Sequence, residues 1–383
     1  MQFEFTEEQQ LFYDTAYAFG QDAIAPNAQQ WERDGAIPQS VLKAAGDLGF
    51  GGIYVPEGLG GTGLNRLDAV LIFEALAMAC PSVSAFMSIH NMCTNMVAKY
   101  ATDSFKAAWL DRLIGFDIYA AYCLTEPGSG SDAAALRTKA EKTNSGYKLS
   151  GNKAFISGGG FADLYLVMCR TGEDGPKGIS TMLIPNGTDG LSFGAQEQKM
   201  GWKSQPTAQV QMDACEVPAD HLLGVEGAGF KYAMEGLDGG RLNIAACSLG
   251  AATQATKIAA NYMGERKAFG KTIDQFQALQ FKLAEMETRL EAARVFLRQA
   301  AWKLDQGAPD ATKHCAMAKL FVTDNCFDVA NDALQLLGGY GYLQDYGIEK
   351  IVRDIRVHQI LEGTNEIMRM IIARNVLNER GLS

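Results

Sequence analysis

The sequence predicts an α+β chain of three successive parts: an N-terminal helical domain, a small central β-barrel or sandwich, and a C-terminal helical bundle. Three observations carry this. Apolar residues at helix spacing, with capping signals, fill the first ~115 residues. From Ile118 to about Val217, short β-type runs alternate with turn signals. Beyond Gly224 the helix period returns in stretches too long for strands. At 383 residues the chain exceeds what one core usually holds, and the composition shifts place the domains at 1–117, 118–223 and 224–383.

In the first part, Thr6-Glu7-Glu8-Gln9 is a capping-box pattern, and the helix it opens should stop before Pro26. Pro38 can begin a second helix ending near Gly49. Residues 51–65 read as a loop made flexible by Gly58, Gly60, Gly61 and Gly63. Further helices fit 66–79, 83–100 and 104–113. In the middle part, strands fit 147–149, 164–168, 179–184 and 210–212, separated by turns such as Asn144-Ser145-Gly146 and Asn186-Gly187. The last part reads as helices over 229–264, 276–306, 309–337 and 366–378, apolar on one or more faces as in a bundle.

Composition narrows the function classes. Hydrophobic residues make up 47% and charged residues 20%, ordinary for a soluble globular protein. A net charge of −10 argues against nucleic acid or an anionic membrane as partner, though a local cationic pocket can still take an anionic ligand. The eight cysteines form no C-x-x-C pair and sit mostly in apolar runs, so they read as reduced core thiols. His90, His221, His314 and His358 have no metal-ligand spacing, and no metal is expected; His90 and His358 read as satisfied core groups. No apolar run spans a membrane, and the start at Phe3-Glu4-Phe5 carries no signal-peptide pattern. These features point to the cytoplasm.

Two segments carry chemistry. In Gln359-Ile360-Leu361-Glu362-Gly363-Thr364-Asn365-Glu366, Thr364 or Asn365 can cap a following helix, and Glu362 stands at the turn before it. A carboxylate there either complements the helix dipole or faces a cavity as a base. Upstream lies Tyr122-Cys123-Leu124-Thr125-Glu126-Pro127-Gly128-Ser129-Gly130-Ser131, in which the stretch from Thr125 to Ser131 follows a strand. Its backbone N–H groups can cradle a polar ring or a phosphate, or it is a plain Gly/Ser loop. It is no Rossmann fingerprint, lacking the third glycine and a βαβ unit. Arg266 suits a pyrophosphate or is a solvated surface charge.

Together these segments resemble the acyl-CoA dehydrogenases, FAD enzymes that oxidise an acyl-CoA thioester between its α and β carbons. The resemblance covers the whole chain and implies Glu362 as catalytic base, with the hydride passing to flavin N5. It implies FAD contacts at Tyr122, Cys123, Leu124, Thr125, Gly130 and Ser131, at Phe155, Ile156 and Ser157, and at Arg266, Phe276 and Gln277. Further FAD contacts carry over to Gln335, Leu336, Leu337, Gly338 and Gly339, and to Thr364, Asn365 and Glu366. CoA contacts carry over to Ser131, Asp238, Arg241 and Arg374, the aspartate and arginine lying in Leu237-Asp238-Gly239-Gly240-Arg241, which is read as opening a helix. A minority branch, the isovaleryl-type enzymes, keeps its base at the position of Gly240; this chain follows the majority.

The stretches at 88–93, 175–180, 201–207 and 237–252 resemble the short-branched-chain members. They imply oxidation of isobutyryl-CoA to methacrylyl-CoA in valine degradation, with 2-methylbutyryl-CoA or butyryl-CoA as alternatives. The resemblance further implies an electron-transfer flavoprotein as acceptor and a homo-oligomer, most often a tetramer, because the Arg266 and Gly338-Gly339 segments reach a neighbouring subunit's cofactor in that family. A same-fold flavin oxidase or monooxygenase stays open, since no motif records oxygen access. A non-enzymatic assembly protein of the same fold is disfavoured by the retained Glu362.

Overall fold

The structure, a computed structural model, describes residues 4–382; Phe3, where the N-terminal reading starts, lies outside them. Helix α1 (Glu7–Phe19) opens with the expected capping box, Thr6 Oγ1 accepting from the Gln9 N–H at 3.1 Å and the Gln9 side chain accepting from the Thr6 N–H at 3.2 Å. Helix α1 stops at Phe19, before Pro26 as expected, but the chain does not leave its helical course. A π-turn (Gly20–Ile24) and a 3₁₀ turn (Ala25–Asn27) carry the chain straight into α2 (Ala28–Asp34). Pro26 is tolerated because it falls in a first turn, where no intrahelical N–H bond is lost. Helices α3 (Gln39–Asp47), α4 (Arg66–Ala79), α5 (Pro81–Tyr100) and α6 (Asp103–Ile114) complete the first part. The glycine loop between α3 and α4 is packed in its first part, while residues 56–60 are exposed. Phe50, Ile53 and Val55 are buried, and a Cβ on Gly61 would collide with the Val55 carbonyl.

The middle part is one seven-stranded mixed sheet in the order β1-β4-β2-β3-β7-β6, with β5 also on β4. Its strands are β1 (Ala120–Cys123), β2 (Lys139–Lys142), β3 (Gly146–Ser157), β4 (Leu164–Arg170), β5 (Ile179–Pro185), β6 (Leu191–Phe193) and β7 (Thr207–Pro218). The runs read as short strands at 147–149 and 210–212 belong to the twelve-residue β3 and β7. Register shifts between Leu149/Gly151 and Lys153/Ile156 break the in–out alternation, which is why the sequence shows only fragments.

The last part contains α7 (Gly229–Glu265), a small hairpin β8 (Lys267–Ala268) and β9 (Lys271–Thr272), α8 (Gln277–Asp305), α9 (Ala311–Leu337), α10 (Ile348–Arg356) and α11 (Asn365–Glu379). Leu237–Arg241 does not open a helix; it runs through α7, whose residues 239–252 are all buried. Helix α7 packs on α9, α4 and α5 and is the axis of the molecule. Helix α10 escapes the sequence reading because no capping side chain or proline marks its start after Gly347. It docks the sheet domain: Asp354 accepts from the Trp202 backbone N–H (2.6 Å), and Trp202 Nε1 donates to His358 Nε2 (3.2 Å), which pairs through Nδ1 with Ser248 (2.7 Å). Burial holds His358 down at about 3, so it is neutral and structural. His90 is likewise buried, bonded to the Leu113 carbonyl and the Ala120 N–H, and held down at about 4 by burial. All eight cysteines are free and buried. Among the described residues no helix is long and apolar enough to cross a membrane.

Candidate active site

Glu362 sits in the turn between α10 and α11. A 3₁₀ turn (Val357–Gln359) leads into it, and Thr364 Oγ1 caps α11 by accepting from the Ile367 N–H at 3.3 Å. Glu362 has φ 56° and Gly363 φ 85°. A left-handed glutamate costs about 1–3 kcal/mol and persists only where its surroundings over-determine it, most often at functional sites. That backbone places the carboxylate against α7. A Cβ built on Gly240 would stand 2.5 Å from Glu362 Oε2 and 2.9 Å from its Cδ. The residue as a whole is half-buried, yet Oε2 is sealed from solvent and has no hydrogen-bond partner. Burial pushes the carboxyl up to about 7, while Arg241 and Lys319 pull the other way. A carboxylate of that affinity, with a free lone pair in a closed space, is poised to take a proton at neutral pH.

Arg241 and Asp238 form a buried ion pair on α7 (2.5 Å), and Asp238 also accepts from Thr312 on α9 (2.7 Å). Arg241 Nε is 3.5 Å from the Glu362 carbonyl oxygen. Tyr122 on β1 and Cys93 on α5 stand within the electrostatic reach of Glu362; burial first, then Glu362 among other neighbours, keeps both well above their ordinary values and therefore neutral. Lys319 on α9 is fully buried and donates to the Gly363 carbonyl (2.9 Å) and to Asn365 Oδ1 (2.7 Å). The sequence reading missed Lys319 and Cys93; the only signal for Lys319 was a lone lysine inside the apolar run from Cys315 to Val322. Arg374 lies exposed on α11, with no ion pair among the described residues, and is not brought to this cluster.

The residues that the resemblance gives to FAD fall into two groups. Tyr122 and Cys123 end β1 and Leu124 and Thr125 follow it, with Gly130 and Ser131 exposed beyond them. This loop is braced from β3: fully buried Lys153 donates to the Leu124 carbonyl (3.0 Å) and to Glu126 (2.8 Å), which also accepts from the Arg137 and Thr138 N–H groups. Burial depresses Lys153 while Glu126 holds it up; Glu126 itself ends below its usual value, so the two are an ion pair. Neither was singled out from sequence. Phe155 has φ 58° and a side chain 69% exposed, Ile156 is buried, and Ser157 Oγ accepts from Gln205 at 3.4 Å. Thr364, Asn365 and Glu366 stay beside Glu362 at the start of α11.

Elsewhere, Gln335, Leu336, Leu337, Gly338 and Gly339 line a groove of about 680 Å³ with Arg266. Phe276 and Gln277 lie between its lining residues Ile273 and Leu279. The Arg266 guanidinium stacks over Tyr340 (5.5 Å) and makes no ion pair among the described residues, and a Cβ on Gly338 or Gly339 would meet only open space. An unpaired guanidinium above bare backbone fits a diphosphate. None of the residues around β1 and β3 lines this groove, so one chain carries two separated halves.

Comparison with known proteins covers the same three parts. The descriptions "Acyl-CoA dehydrogenase, N-terminal domain", "middle domain" and "C-terminal domain" match residues 6–117, 121–215 and 227–377. The chain is 50% identical over 374 residues to the mitochondrial isobutyryl-CoA dehydrogenase of Bos taurus, covering 98% of this chain and 90% of that protein. Among solved structures, butyryl-CoA dehydrogenase from Megasphaera elsdenii superposes with a TM-score of 0.95 at 36% identity, covering 98% of this chain and all of the other. PigA with FAD and proline gives a TM-score of 0.95 at 30% identity, with both chains fully covered. With all three domains matched in order and half of the residues shared along nearly the whole length, the chain belongs to the acyl-CoA dehydrogenase family.

Proposed function

We propose that this flavin-dependent acyl-CoA dehydrogenase oxidises isobutyryl-CoA to methacrylyl-CoA, a step of valine degradation, with Glu362 as the base. One observation carries the mechanism: the Glu362 carboxylate is closed off, unpartnered at Oε2 and pressed against the bare α-carbon of Gly240, with burial lifting it to about 7. A base must be deprotonated at working pH yet hold the proton it receives, and this value serves both. Gly240, lacking a Cβ, leaves the space that this carboxylate occupies. Arg241, paired with Asp238, is the cation beside that space and frames the thioester.

The cofactor is FAD, which when bound accepts the hydride lost from the β-carbon. Tyr122–Thr125, Phe155–Ser157 and the start of α11 would hold it near Glu362, while Arg266 and the 335–339 segment suit a diphosphate. Two separated halves on one chain support a homo-oligomer, a tetramer in our reading, in which each cofactor touches two copies. The acceptor of the electrons in this reading is an electron-transfer flavoprotein, the setting is cytoplasmic, and the domains divide at 117/118 and 223/224.

The test is anaerobic. Flavin absorbance of the purified holoprotein should bleach on adding isobutyryl-CoA, with kcat/KM above that for butyryl-, isovaleryl- and octanoyl-CoA; 2-methylbutyryl-CoA is the competitor. In Glu362→Gln, loss of general-base catalysis should slow bleaching by at least ~10²–10⁴-fold with FAD still bound. Bleaching at nearly the parent rate would remove Glu362 as base. Octanoyl-CoA as best substrate would overturn the substrate assignment alone.

A further inference from the structure

Lys319 is an unusual residue to find where it is. Lysine is almost never fully buried unless paired, and Lys319 in the middle of α9 is completely enclosed. Its partners are not a carboxylate but two groups of the turn that carries the base: the Gly363 carbonyl and Asn365 Oδ1. Asn365 is in turn fixed by Thr323 (3.0 Å) and Asp324 (2.6 Å), one further turn along α9, and Asp324 also accepts from Gln359 (2.8 Å) ahead of Glu362. The turn is therefore gripped from α9 on both sides of Glu362. A left-handed Glu362–Gly363 pair needs such a grip, because the backbone relaxes to an ordinary region once released.

We propose, resting on the reading of Glu362 as the base, that Lys319 is a positioning residue: it pins the strained turn through Gly363 and Asn365 and supplies a buried positive charge beside the carboxylate. The first role fixes where the base points; the second keeps it available as an anion. The groups facing Glu362 support this. Arg241 and its partner Asp238 come from α7, Cys93 from α5, Tyr122 from β1, and Lys319 with the more distant Asp324 from α9, while Glu366 on α11 stands towards Lys319. Cys93 and Tyr122 stay neutral; Arg241, paired with Asp238, is the stronger of the two cations holding the carboxyl down, and Lys319 is the other. Lys319 is the cation left without a carboxylate in hydrogen-bond contact. Burial brings it down to about 7, with Glu362 the leading influence holding it up, so its charge acts on the carboxyl below about pH 7, where the rising limb begins.

The experiment uses the FAD-loaded enzyme and compares Lys319→Met, Lys319→Arg and Glu362→Gln. Flavin reduction by isobutyryl-CoA is followed anaerobically across pH, and the carboxyl infrared band lost in Glu362→Gln is titrated without substrate. In Lys319→Met the rising limb and the infrared titration should both move up by about one pH unit, since an opposite charge within ~4–6 Å shifts a carboxylate by ~1–3 units. The limiting rate should fall by about 10²-fold, as for a base misplaced by ~1 Å, with KM nearly unchanged. Lys319→Arg should keep the limb where it is. A folded Lys319→Met with parental limb and rate, or a loss seen only in KM, overturns the proposal. If Lys319→Met does not fold, Lys319→Gln, which keeps an N–H donor without the charge, should show the same upward displacement, and its absence is equally decisive. Parental behaviour of the Lys319 variants beside an inactive Glu362→Gln sinks this proposal only, whereas an active Glu362→Gln sinks the base assignment beneath it.

Discussion

Gly240→Ala is the smallest change that should disable the base without touching it. The added Cβ would stand 2.5 Å from Glu362 Oε2, 2.9 Å from Cδ and 3.1 Å from Oε1. Ordinary contact begins near 3.4 Å, so the carboxylate must retreat by about 0.9 Å. The atoms that yield are the far end of a flexible side chain, so folding should not suffer. Alanine inside a helix is favoured over glycine by roughly 0.5–1 kcal/mol, and Gly240 is in the body of α7, so the melting temperature should hold or rise slightly. Catalysis is less forgiving, because a misplacement of ~1 Å costs about 10²-fold. Stopped-flow flavin reduction by isobutyryl-CoA should therefore slow by about two orders of magnitude, with FAD content unchanged. Gly264→Ala, in the same helix with nothing within 4 Å of its Cβ, is the matched control and should behave as the parent. A Gly240→Ala enzyme reducing its flavin within about twofold of the parent would refute the idea that the carboxylate works from its place against this α-carbon.

Other outcomes follow from the same geometry. In Gly240→Glu combined with Glu362→Gly, a carboxylate returns from α7, and flavin reduction should partly recover over Glu362→Gly alone; no recovery would count against Gly240 facing the substrate. The parent's flavin-reduction rate should rise with pH through about 7 as Glu362 loses its proton, and a rate flat from pH 5 to 9 would contradict this. The raised carboxyl also has a cost: the folded state binds its proton more tightly than the unfolded state, so stability falls as pH rises from about 4.5 to about 7. Glu362→Gln should remove a destabilisation on the order of 3 kcal/mol at pH 8 and little at pH 4, which denaturant melts at both values will show. Lys153→Met strands Glu126 beneath the 124–131 loop and should lose about 3–5 kcal/mol together with FAD retention on gel filtration.

How much was legible in the sequence depended on where the signal was local. Thr6 with Gln9 and Pro38 wrote helix starts into adjacent residues, and the structure uses both. Glu362 was legible because a cap and a glycine flank it. The failures were non-local or interrupted. The β3 and β7 strands were fragmented by bulges that shift the register of the in–out pattern. The glycines of residues 51–65 looked flexible because nothing nearby in sequence shows that Gly61 abuts the Val55 carbonyl. Lys319 lies 43 positions before Glu362 in the chain and reaches the base's turn only because α9 packs along α11. Lys153 and Glu126 meet only where β3 passes beneath the loop after β1. Residues that hold a site from behind give no local pattern, since their partners, carbonyls and side chains alike, are brought to them by the fold.

The left-handed backbone at residue 362 has an evolutionary consequence. Glycine there would relieve the conformational strain and remove a buried carboxylate, so the mutation that destroys the base also stabilises the protein. Drift at this codon therefore runs downhill towards a sturdier, inert protein, and only selection on turnover opposes it. Gly240 faces the opposite gradient: it sits in a regular helix where any L-residue adopts the backbone freely, so a carboxylate arriving there meets no strain of its own. A lineage under pressure for stability could shed Glu362 and regain its chemistry from α7 in two single-residue steps, Glu362 going first, because any side chain at 240 collides with the Glu362 carboxylate.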